Sequence, residues 1–176
     1  MKKGLIYLCI LAFVFSVSAI SPASASSMTS VDDLTAGDLI RGESFSAVYY
    51  YGADGYRYVF PNDKTYFTWY DNFDDVKWIS DSDMTTVQIG GNVTYKPGVK
   101  MIKITSDSKT YAIAENGTLR WVSSEAVAID LYGSDWNTQI DDVPDAFFGN
   151  YTIGQEIEVS SSFSVSGEQA SAYSID

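Results

Sequence analysis

The stretch Tyr111–Val122, YAIAENGTLRWV, repeats the pattern of Tyr49–Phe60, YYYGADGYRYVF, at a spacing of 62 residues. Each stretch holds two short aromatic and β-branched runs around an Asx-Gly pair, Asp54-Gly55 and Asn116-Gly117. Asx-Gly supplies the positive φ angles of a tight turn, so each stretch predicts a β-hairpin. The likeness extends to both sides. Met101-Ile102-Lys103 matches Leu39-Ile40-Arg41 at the same spacing. Val143, Phe148 and Ile153 match Ile79, Met84 and Ile89 at a spacing of 64, which requires two inserted residues in the second copy, around Trp136. A unit of roughly sixty residues has a small core, so two copies are expected to pack against each other. The expected fold is therefore α+β, two tandem strand-hairpin-helix repeats packed together.

The repeats set the organisation of the chain. Residues 26–36 are polar and small and read as a flexible leader. Repeat one covers 37–90, a junction covers 91–97, repeat two covers 98–154, and 155–176 is a Ser-rich tail. In repeat one, Asn62 can cap a helix running to about Tyr70. Ser80 with Asp83 fits a capping pattern, with Ile79 and Met84 at the two positions of a hydrophobic staple, so a second short helix runs towards Val87. In repeat two, Ser124 can cap Glu125–Tyr132, and Gly133 is a natural stop. Val93-Thr94-Tyr95 suits an extra strand, and the weak alternation over 157–165 admits one strand in the tail.

The N-terminus predicts export. Lys2-Lys3 form a positive start, residues 5–20 an apolar run, and Ala23-Ser24-Ala25 a small-x-small cleavage site, which together read as a signal peptide over 1–25. Cys9 lies inside the apolar run, so it does not mark a lipoprotein, and the exported chain has no cysteine. Loss of Lys2 and Lys3 takes the formal net charge from −12 to −14. A chain this acidic is repelled by phosphate backbones and anionic lipid heads, so no nucleic-acid partner is expected, and membranes matter only through export. Histidine is absent, which removes the usual zinc ligands and the Ser-His-Asp and Cys-His nucleophile systems.

The second copy, YAIAENGTLRWVSSEAVAIDLYG followed by Trp136 and VPDAFF, resembles a repeat of secreted and surface-layer-type bacterial proteins. Its form is a Tyr-bearing strand, Asn/Asp-Gly, Arg-Trp-Ile/Val, a small helix, a Gly-x-x-Trp step and an Ile/Val-Ser/Pro-Asp step ending in glycine. The resemblance covers residues 37–154. Arg120-Trp121-Val122 carries the close match, while Arg57-Tyr58-Val59 lies one position out of register. That family has no established activity, so the resemblance implies an extracytoplasmic repeat module and adds no catalytic residue.

Aromatic residues are the main candidate for chemistry. Tyr50, Tyr56, Tyr58, Trp69 and Trp121 are the ligand-binding candidates, because planar rings stack on sugar faces while hydroxyls hydrogen-bond beside them. Tyr49-Tyr50-Tyr51 must alternate between sheet faces, which predicts tyrosine on a face outside the core. The competing explanation is that sheets favour aromatics for packing alone. The runs at Asp71–Asp75, Asp81–Asp83 and Asp141–Asp145 offer oxygens for calcium, although none fits an EF-hand loop and helix starts also recruit carboxylates. Paired carboxylates can serve a glycan hydrolase, but such pairs carry no sequence spacing. Ser106–Lys109 matches S-x-x-K without the companion motifs and reads as chance. Asn92, Asn116 and Asn150 each begin an N-x-T triplet. The reading that follows is a secreted or cell-surface, non-enzymatic module, without a required cofactor, that binds cell-envelope glycan or a surface protein. The alternatives are a structural component that self-associates into a surface layer and a carboxylate-dependent glycan hydrolase.

Overall fold

The computed structural model of the chain describes residues 28–176, so the expected signal peptide lies outside the described residues. Repeat one contains β1 (Leu39–Arg41), β2 (Tyr49–Tyr51), β3 (Arg57–Val59), α1 (Asp63–Trp69), β4 (Val76–Trp78), α2 (Asp81–Thr86) and β5 (Ile89–Asn92). Repeat two contains β6 (Met101–Lys103), β7 (Tyr111–Ala114), β8 (Thr118–Trp121), α3 (Glu125–Tyr132), β9 (Ile140–Asp142), α4 (Asp145–Phe148) and β10 (Thr152–Ile153). A final helix, α5 (Val165–Ser171), follows. The fold is α+β, with two five-stranded mixed sheets of order β4-β1-β2-β3-β5 and β9-β6-β7-β8-β10.

The two sheets share topology and register. Leu39 faces Tyr50 as Met101 faces Ala112, and Tyr50 faces Tyr58 as Ala112 faces Arg120, all at the 62-residue spacing. The parallel edges follow the 64-residue spacing: Leu39 pairs with Val76 and Met101 with Ile140. Arg57 pairs with Ile89 as Leu119 pairs with Ile153. No local sequence signal marks these edge strands. Ile89–Asn92 contains two glycines and Ile140–Asp142 two acids, so neither has an apolar alternation to mark it.

The helices begin and end where their caps place them. The Asn62 carboxamide accepts from the Thr65 N–H, Ser80 from Asp83 and Ser124 from Val127. Gly133, with φ 83°, closes α3 through its N–H to the Ile129 carbonyl. Each sheet is covered on both faces. Tyr50 lies with Leu39, Phe60 and Tyr66 of α1 on one face, and Tyr49 and Tyr51 pack with Ile40, Ile79 and Met84 of α2 on the other. The expected tyrosine-bearing outer face is therefore absent from β2, because α2 occupies it. In repeat two, Val127 and Ala128 of α3 cover Ala112, while Phe147 and Phe148 of α4 cover Ile113.

Other expectations need correction. Both hairpins turn through three residues, 53–55 and 115–117, with the glycine last at positive φ. Asp54 takes no positive φ; its carboxylate instead accepts from the Tyr56 N–H at 3.0 Å. Val93–Tyr95 is not a strand. The Val93 N–H still bonds Val59, and the chain then leaves the sheet to bury Tyr95 beside Ile102 and Tyr111 of repeat two. In the expected leader, Thr29 bonds the Trp78 carbonyl, residues 31–33 form a 3-10 turn, and Val31 and Leu34 pack against Ile40. The tail carries no strand. Ile157 bridges Val122, a short turn spans 160–162, and α5 docks where Gln169 donates to the Gly98 carbonyl at 2.8 Å. Gly98, with φ 70°, has no room for a side chain, since a Cβ would lie 2.5 Å from the Val165 carbonyl oxygen.

Among the described residues, no helix is long and apolar enough to cross a membrane.

Candidate functional site

The junction, the second hairpin turn and the end of the tail enclose a cleft of about 370 Å³ between the repeats. Tyr58 and Trp69 stand in it from repeat one, Thr94 from the junction, Asn116 from repeat two and Ser174 from the tail. Sheet register places Tyr58 there, on the strand next to β5, and α1 presents Trp69 at its last position.

Hydrogen bonds fix these side chains. The Trp69 indole N–H donates to the Thr94 carbonyl at 2.8 Å, and the Lys96 ammonium lies 5.4 Å from its ring centroid. The Tyr58 hydroxyl donates to the Asp54 carboxylate at 2.5 Å. That bond, with burial second, pushes the Tyr58 phenol up to about 12 and lowers Asp54 below the usual carboxylate range. Asn116 is held in left-handed backbone at φ 57°, ψ 32°, which aims the turn at the junction. Gly117 behind it takes φ 64° with Thr94 against it.

The five sequence candidates do not converge on one surface. Tyr58 and Trp69 share the cleft. Tyr50 is 3% exposed and belongs to the core, with its hydroxyl turned to Ser174 and Asp176. Tyr56 is exposed beyond the hairpin turn of repeat one, outside the lining of the cleft. Trp121 lines a separate hollow of about 260 Å³ with Trp136, under the Lys109 ammonium at 4.7 Å. Asn92, Thr94, Asn116 and Ser174 add polar groups to the cleft. Sequence marks Asn92 as a triplet asparagine, Asn116 as that and as a turn residue, and Thr94 as part of a strand, and it gives no sign of a binding role for Thr94 or Ser174.

Two of the three acidic runs have a carboxylate engaged within the protein. Asp81 accepts from the N–H groups of Glu43 and Ser44, and Asp141 pairs with Lys64 at 3.1 Å and Lys100 at 3.6 Å. Among the described residues, no group of three or more acids, histidines or cysteines is placed to hold a metal ion. Two carboxylates line the cleft, Glu115 and Asp176. Asp176 is taken up by the Tyr50 hydroxyl and the Ala53 N–H, which suits a structural tie better than acid catalysis. With rings, amides and hydroxyls along its walls, the cleft can hold a polyhydroxylated ligand by stacking and hydrogen bonding. No family model, curated protein or solved structure matches the chain.

Proposed function

We propose that the protein is a secreted or cell-surface, non-enzymatic repeat module whose inter-repeat cleft binds cell-envelope glycan. The observation that carries this reading is the pairing of Tyr58 and Trp69 with Asn116 and Thr94 in one open cleft. Aromatic faces beside amides and hydroxyls match the alternating apolar and polar surfaces of a sugar ring. The test is a titration with solubilised cell-wall polysaccharide followed by tryptophan fluorescence. A saturable shift that Trp69→Ala removes and Trp121→Ala keeps supports the cleft. No saturable shift, or one that Trp69→Ala leaves intact, overturns it.

A second reading, self-association into a surface assembly, draws on the sheet edges. Ile89 on β5 and Ile153 on β10 occupy equivalent edge positions and are 60% and 59% exposed. Unprotected edge strands with apolar side chains are sites for strand addition. Light scattering at rising concentration tests it. Association that the double change Ile89→Lys, Ile153→Lys abolishes supports assembly through the edges, and a monomer at every concentration removes the reading.

A further inference from the structure

A third cavity, of about 450 Å³, opens at the base of the first hairpin and shares only Asn92 with the cleft. Its wall is aromatic: Phe60, Tyr66 and Phe73 come from repeat one, and Phe147 reaches in from α4 of repeat two. Tyr66 stacks on Phe73 with centroids 4.3 Å apart and planes at 22°, and Phe60 meets Tyr66 edge-on at 5.0 Å. Phe73 is 48% exposed at the mouth of the cavity, while Phe60 and Tyr66 are buried behind it at 7% and 1%.

The charge around the rings has one sign. Asp63 is the charged residue in the lining, and no lysine or arginine joins it. Its carboxylate accepts the Lys64 backbone N–H and forms no ion pair among the described residues. The Lys64 ammonium turns away to Asp141. Asp74 and Asp75 follow Phe73 directly, and the Tyr66 phenol is raised by burial first and then by their charge. Electron-rich ring faces beside a carboxylate without a counter-cation attract a positive, weakly hydrated group and repel an anion.

We propose that this pocket binds a free quaternary ammonium compound, its trimethylammonium group among Phe60, Phe73 and Phe147 and beside the Asp63 carboxylate.

The experiment is calorimetric titration of the protein with choline and with its uncharged carbon isostere, in which a tert-butyl group replaces the trimethylammonium. Choline is expected to bind about tenfold more tightly than the isostere, the difference being the cation's attraction to the rings. Phe73→Leu keeps an apolar side chain on an exposed site but removes the ring, and it is expected to weaken choline by about tenfold. Asp63→Asn should weaken choline and flatten its salt dependence, while Trp121→Ala, in the separate hollow, should leave it unchanged. Circular dichroism of each variant reports whether the fold is kept. Equal affinity for the isostere, unchanged binding by Phe73→Leu, binding only to phosphatidylcholine vesicles, or no saturable heat at millimolar choline would each overturn the proposal. Failure of choline leaves the glycan titration at Trp69 unaffected, so the two sites are judged separately.

Discussion

The Tyr50 hydroxyl donates to the Asp176 carboxylate at 2.5 Å, joining the second strand of repeat one to the end of the tail. Asp176 also accepts from the Ala53 N–H at 3.1 Å, and Ile175 packs on the core of repeat one. The tail therefore leaves α5 on repeat two and fastens onto repeat one, closing one side of the cleft. Tyr50→Phe removes the donor without changing the ring and is expected to cost about 1.5–2 kcal/mol, the lower part of the range for a hydrogen bond to a charged group, because Asp176 is exposed. Asp176→Asn combined with it should cost less than the sum of the two single changes, because they share one contact. Urea unfolding of the four proteins measures the cycle, and additive costs would dissolve the tie.

Asp141 joins the repeats from the other side. It is 9% exposed, on β9 of repeat two, and it meets Lys64 of repeat one, Lys100 of repeat two and the hydroxyl of Tyr95 in the junction at 3.3 Å. Lys64 and Lys100 keep 56% and 36% of their side chains in water, so the network is weaker than a fully buried one. Asp141→Ala is expected to cost about 1–3 kcal/mol, by stranding Lys100 and the Tyr95 hydroxyl. Lys64→Met, which removes the more exposed partner, should cost under about 1 kcal/mol. Denaturant midpoints that rank the two variants in the reverse order would show that the carboxylate is not the centre of the network.

Asn116 separates stability from binding. Its left-handed backbone makes Asn116→Ala costly by about 1 kcal/mol, while Asn116→Gly should be near neutral. Its amide also lines the cleft, so Asn116→Gly is expected to keep the melting temperature and to lose glycan affinity. A glycine variant that binds as well as the parent would take Asn116 out of the site.

The central strands and the capped helices were legible in sequence because each rests on local signals. Leu39, Tyr50 and Met101, Ala112 sit at equal spacing, and Ser80, Asn62 and Ser124 announce their helices. The outer parts depend on contacts distant in sequence. β5 and β9 exist because β3 and β6 pair with them, not because Gly90 or Asp142 favours a strand. Helix α5 contains Gly167 and little apolar pattern; it is held by Gln169 on Gly98 and by Glu168, which accepts the Glu115 N–H at 2.9 Å. Alternation showed that Tyr49 and Tyr50 face opposite ways, but not that α2 covers the second face. Tyr58 and Trp69 stood out as aromatic, whereas the cleft that unites them needs three segments to meet.

Alkaline pH should loosen the protein through its tyrosines. Burial pushes the phenols of Tyr70 and Tyr151 up to about 12, and the Asp54 hydrogen bond does the same for Tyr58. Tyr50, Tyr66, Tyr95, Tyr111 and Tyr132 are raised in the same direction, each chiefly by burial. In every case the folded state prefers the neutral phenol more strongly than the unfolded chain, whose phenols titrate near 10. The stability these groups contribute is complete below pH about 10 and is lost as pH climbs through about 12. Phenolate absorbance of the folded protein should therefore lag behind that of the urea-denatured chain above pH about 10, and unfolding should set in before the lag closes. Superimposable titration curves for the folded and denatured protein would mean that the tyrosines are not held neutral by the fold.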